Sequence, residues 1–220
     1  MTAYPPYPRL LKGAIVALNS SGTTIASTIP FQYNPETLNR TLQVQAAQSE
    51  GGDRAEALRL EGAPVETISL DVEIDATDQL ERLEEPAISL GIYPQLSALE
   101  TLIYPASREV VNNMKQANQG TLEIVPMEAP MTLLVWGGKR LLPIRLTDFT
   151  ITEEAYDTNL NPIRAKVSLT LRVLNYNDLP WNQRGAKLFL AHHKAKERMA
   201  KRGTVANPSA ITGVNIEQRL

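Results

Sequence analysis

Cysteine is absent from the 220 residues, so no disulfide, thiolate nucleophile or Cys-ligated metal centre can form. Histidine occurs twice, at the adjacent positions His192 and His193. Neighbours on a helix point about 100° apart, so the pair cannot share a metal or relay a proton, and both are expected at a surface or interface. No stretch reaches the ~18 apolar residues of a membrane span. The opening MTAYPPYPRLLKG lacks the apolar centre of a secretory signal, and the chain reads as soluble. No P-loop, dinucleotide fingerprint or G-x-S-x-G elbow occurs. The acids between 50 and 100 lack the spacing of a calcium loop. No nucleophile, base and orienter can be named together, and no cofactor. The sequence describes an interaction protein, not an enzyme.

What is present supports a packed core: 43% of residues are hydrophobic and 21% charged. The net charge of −2 is unevenly spread. Residues 184–202 hold seven Lys or Arg against one Glu, while residues 50–100 hold thirteen acids against three Arg. Such segregation points to complementary surfaces, which set register and encounter rate.

Period-two alternation dominates the chain. In ETISLDVEID (66–75), Ile68, Leu70, Val72 and Ile74 share one face, the mark of a half-buried strand. Residues 140–156 alternate through Leu142, Ile144 and Leu146, then Phe149 and Ile151. The one-residue slip between the two sets predicts a β-bulge. Residues 159–178 open on a turn and alternate from Ile163 to Val173 without a breaker. These two runs predict a long antiparallel hairpin. Shorter strands are expected at 11–18, 28–33, 38–44 and 131–136. Residues 46–64 read as a mobile loop.

Residues from 78 to about 114 are helical in pattern. Leu96, Leu99, Leu102 and Ile103 form a stripe after Pro94, which suits a first turn, and Ser107 is placed to cap a further helix. The fold class is mainly β with inserted helices, an α+β barrel or sandwich of six or seven strands. The domain plan has an extended arm at 1–10 and a β domain at 11–180, interrupted by helices at about 78–118. A basic helix at 181–203 and a flexible tail at 204–220 follow. In the basic helix, Leu188, Leu190, Ala191, Ala195 and Met199 supply an apolar stripe, which suits docking on protein better than on nucleic acid.

Four segments, in order, carry a family resemblance: FQYNPETL (31–38), GIYPQLSALETLIYP (91–105), LLVWGGKRLLPIRLTDFTITEEAYD (133–157) and LNPIRAKVSLTLRVL (160–174). They resemble tube-like proteins of contractile injection systems, the phage-tail-derived particles of bacteria. The resemblance spans roughly residues 10–176. It implies a tail-tube-like β-barrel assembling into a homo-oligomeric, hexameric ring. Its partners would be spike or hub and tube proteins, with baseplate or sheath proteins also in reach, and no nucleic acid is expected. The chain would be made in the cytoplasm and built into the particle. Some members carry a LysM module, for which this chain shows no pattern after Val173.

The leading expectation is a tube initiator or adaptor between spike and inner tube; the alternatives are the tube protein itself and an anion-binding module working through the basic helix. Candidate assembly residues are Phe31, Tyr33, Asn34, Pro35, Trp136, Asn161 and Pro162 from the family segments. Arg164, Lys166 and Arg172 are candidates to line a lumen, and Lys194, Lys196, Arg198 and Lys201 to dock on an acidic partner. Deleting residues 184–220 is expected to spare the barrel and impair assembly.

Overall fold

The computed structural model describes residues 11–19, 22–46, 59–120 and 129–204. The arm at 1–10, most of the loop at 46–64 and nearly all of the tail lie outside the described residues. The strands are β1 (Ala14–Leu18), β2 (Ile25–Pro30), β3 (Asn39–Gln43), β4 (Val65–Asp75), β5 (Thr132–Trp136), β6 (Arg140–Tyr156) and β7 (Pro162–Val173). The helices are α1 (Thr77–Glu81), α2 (Glu85–Leu90), α3 (Tyr93–Glu100), α4 (Ser107–Asn118) and α5 (Arg184–Gly203). The strands form one seven-stranded sheet in the order β2-β1-β5-β6-β7-β4-β3, with every pairing antiparallel.

The hairpin lies where the alternation puts it. Ala165, Val167, Leu169, Leu171 and Val173 are buried on one face of β7, as are Ile68, Leu70, Val72 and Ile74 on β4. The frame slip in β6 is a register shift between Leu146 and Asp148. There the Thr147 hydroxyl donates to the Thr170 carbonyl at 3.1 Å. The bulge lets a 17-residue strand bend while both of its halves keep their apolar side chains inward.

The curled sheet brings β2 toward the end of β4, and α3 fills the gap with Leu96 and Leu99. Between them lies a cleft of about 510 Å³ lined by Ile29, Phe31, Val72, Ile74 and Leu99, among others. Gln32 clasps the seam: its amide nitrogen donates to the Asp75 carbonyl at 2.6 Å, and its amide oxygen accepts from the Asp75 N–H at 2.8 Å. One side chain thus substitutes for a rung of β-ladder, satisfying both backbone groups of Asp75 on that edge.

Several expectations are corrected. Ile103 is exposed although Leu102 stays in the core, because α3 ends at Glu100 and Ile103 lies beyond it. Ser107 is the first residue of α4; Ala106 occupies the cap position, with no side-chain cap bond. The stripe assigned to α5 is rotated: the residues buried are Gly185, Ala186, Phe189 and His192. His192 is therefore interior, only 8% exposed, not a surface residue.

Candidate assembly surfaces

The face of β3, β4, β7 and β6 turned away from the core is polar along most of its length, with Val65 at one end and Ala155 at the other. Cross-strand rows can be read from the register: Asn39–Ser69–Thr170–Asp148, Asp71–Ser168–Thr150 and Glu73–Lys166–Thr152. Charges on it are largely compensated. Arg164 pairs with Asp75 at 2.7 Å, Lys166 lies 3.9 Å from Asp71, and Arg172 pairs with Asp178 at 2.7 Å. The Ser168 hydroxyl also donates to Asp71 at 2.7 Å. Burial pushes the Asp75 carboxyl up, but bonds from Thr77 and Arg164 outweigh it and hold the group below 3.8. Of the three lumen candidates, Arg164 and Arg172 are held by neighbouring carboxylates, and Lys166 is the most exposed of them.

The residues of the family segments act within the fold. Phe31 is 1% exposed and packs on Trp136, with ring centroids 6.3 Å apart. Buried in this way, it cannot be a contact surface for a neighbour. Asn34 accepts from the Gly13 N–H and donates to the Leu11 carbonyl, both at 2.8 Å, pinning the entry to β1. Pro162 is buried, and its carbonyl accepts the Ile92 N–H at 2.8 Å. Asn161 bonds the Asp157 carboxylate and the Ser89 carbonyl, tying the hairpin tip to α2. Tyr33 is exposed and Pro35 half-buried.

Sequence reasoning missed Gln32 and Glu66. Glu66 is 2% exposed, beneath α5, and is held by Arg40 at 2.6 Å and Lys196 at 3.3 Å. Counting back by two from Ile68 places Glu66 on the apolar face, a signal the sequence contains. Lys196 therefore serves an acid of its own chain. Lys194, Arg198 and Lys201 are exposed, with no ion pair among the described residues.

His192 lines the same junction. It bonds the Lys139 backbone, and its Nε2 has no hydrogen-bond partner. Burial, with the Lys196 ammonium adding to it, holds the imidazole below its ordinary 6.5; the Glu66 carboxylate opposes the shift. The unfolded chain then binds a proton more readily than the folded one. Stability is expected to fall as pH drops through 6.5 toward the folded value and to level off below it. Urea titrations across this range should show the slope, and His192→Leu should remove it whatever happens to the plateau.

Residues 9–178 match the family described as contractile injection system tube protein. The chain belongs to that family. It is thus a structural component of a phage-tail-like contractile injection particle, and α5 lies beyond the matched residues. A solved structure described as the tail of an empty GTA particle, computed with helical refinement in C6 symmetry, is similar at 13% identity. The TM-score is 0.28, over 73% of this chain and 90% of that one. No curated protein matches the chain. Among the described residues of this tube-family chain, no helix is long and apolar enough to cross a membrane.

Proposed function

We propose that the chain forms a closed ring in the inner column of the particle, at the junction between the spike or hub and the tube. The observation that carries this reading is the wide, mostly polar face of β3-β4-β7-β6 in a sheet whose two end strands, β2 and β3, have outer edges unpaired among the described residues. A free edge is a liability that side-by-side pairing removes, and a closed ring leaves no edge over. Both end strands also leave an apolar side chain in water, Ile25 at 66% and Leu42 at 46% exposure. The polar face then lines the lumen, with Lys166 projecting into it. Six subunits is the number the family resemblance implies.

A second reading, the tube protein itself, is favoured by one observation. The basic α5 covers Glu66 at one end of β4 and the acidic α1 and α2 follow Asp75 at the other, an opposition of charge that lets like rings stack. Copy number per particle separates one ring from many.

The ring itself is tested by Ala26→Lys with Thr41→Lys, which would set like charges at a seam between β2 of one subunit and β3 of the next. Light scattering and negative-stain microscopy should show the parent protein as rings and the double variant as monomers. A parent protein that stays monomeric at high concentration would sink the reading.

A further inference from the structure

The cleft of about 510 Å³ between β2, the end of β4 and α3 falls in the ~300–1,000 Å³ range of sites that take a ligand. Phe31, Val72, Ile74 and Leu99 give it an apolar lining drawn from the main core cluster. Three glutamines, Gln32, Gln79 and Gln95, line it as well. Gln32 commits both of its amide groups to Asp75. Gln95 differs: its Oε1 is buried and accepts no hydrogen bond among the described residues. Buried polar atoms are in the large majority paired, so this one calls for an N–H or O–H that enters the cleft.

The chain's own beginning arrives at this place. Lys12 lines the cleft and is exposed. Asn34 holds both the Leu11 carbonyl and the Gly13 N–H, which fixes the point where residues 1–10 join the fold. Those residues include Tyr4-Pro5-Pro6-Tyr7-Pro8, a composition suited to an apolar cleft with an orphan acceptor. Tyrosine brings a large apolar ring with a hydroxyl donor at its tip. Proline is preset in an extended form and loses little entropy on docking. At about 3.1 Å per residue in polyproline geometry, residues 4–10 span about 22 Å. The wall that α3 contributes, from Pro94 to Leu99, is about 8 Å long. The segment is therefore long enough to cross the cleft from its own point of attachment.

We infer that this cleft is the seat of the chain's own residues 4–10, with a tyrosine hydroxyl donating to Gln95 Oε1. Attachment at Lys12 selects this occupant over the arm of a second copy, because a short tether sets a local concentration in the millimolar range. Seated there, the arm straps β2 to α3 across the seam that Gln32 already clasps. β2 is an end strand with β1 as its one partner in the sheet, so the strap steadies the strand least held by ladder bonds. The inference concerns a single subunit and stands whether or not subunits close into a ring.

The test uses the full chain, in which every thiol is an introduced one because cysteine is absent. Pro6→Cys with Ala98→Cys keeps both tyrosines and should close a disulfide within one molecule under mild oxidation. A control pair, Pro6→Cys with Ser168→Cys on the polar face, should close at least ~10-fold more slowly, since only the first pair is brought together by the seated arm. Trypsin supplies a second readout that needs no engineered thiol. It should cut the parent after Arg9 at least ~10-fold more slowly than the double variant Tyr4→Ser with Tyr7→Ser, which frees the arm. Cross-links that form only between molecules would put a second copy's arm in the cleft and overturn the inference. Equal rates for the two cysteine pairs would overturn it as well, and so would equal cutting of the parent and the tyrosine variant.

Discussion

Phe189→Ala is expected to destabilise the whole domain by roughly 3–5 kcal/mol, and truncation before Arg184 to prevent folding. Phe189 is 5% exposed and belongs to the main core cluster with Leu171, Val173 and Ile68. Its ring meets Tyr176 edge-on at 5.7 Å. Ala186, one turn earlier, is fully buried. Gly185 allows close approach at the same face, since a Cβ there would lie 2.5 Å from Leu179 Cδ1. A domain stable by only about 5–15 kcal/mol does not survive losing this helix. Denaturant titration of Phe189→Ala, with refolding of the truncated chain followed by circular dichroism, checks this. A truncated chain that melts cooperatively near the parent temperature would show instead that α5 is a detachable appendage, as its sequence first suggests.

Gly91→Ala should be nearly as damaging, by a different route. Gly91 ends α2 at φ +58° and ψ −131°, a conformation that L-residues avoid. A Cβ there would sit 2.1 Å from the Pro162 carbonyl oxygen, the same oxygen that accepts the Ile92 N–H. Backbone strain of roughly 1–3 kcal/mol and a similar overpacking cost fall on one residue. The structure can relieve them only by parting the helices from the hairpin tip. Loss of hydrogen-exchange protection at Ile92, with a lowered denaturation midpoint, is the expected signature. Gly120→Ala serves as control: it too has positive φ, but nothing lies within 4 Å of its Cβ position.

The two variants mark a boundary in what the sequence makes legible. The hairpin could be read because a strand's side chains alternate with period two whatever packs above them; even the bulge at Leu146–Asp148 shows as a frame slip. The clasp by Gln32 could not. A glutamine in a turn has no periodic signature, and its partner Asp75 lies 43 residues away. The motif Phe-Gln-Tyr-Asn-Pro was legible as a signature, but its use was not: Phe31 fills the core, Gln32 closes the seam and Asn34 pins the chain's entry.

The basic helix shows the same division most clearly. Its amphipathic character and its charge follow from 3.6-residue spacing and composition alone. Which of its faces turned inward was decided by where Tyr176, Glu66 and β6 offered contacts. The sequence by itself determined long paired strands, a polar and an apolar face, and an uneven spread of charge, because each is a local or compositional property. Only the tertiary structure decided that one lysine of the basic helix neutralises a buried glutamate of its own chain while the outer cations remain open. Pairing across 130 residues depends on how the sheet curls, and no spacing along the chain encodes that.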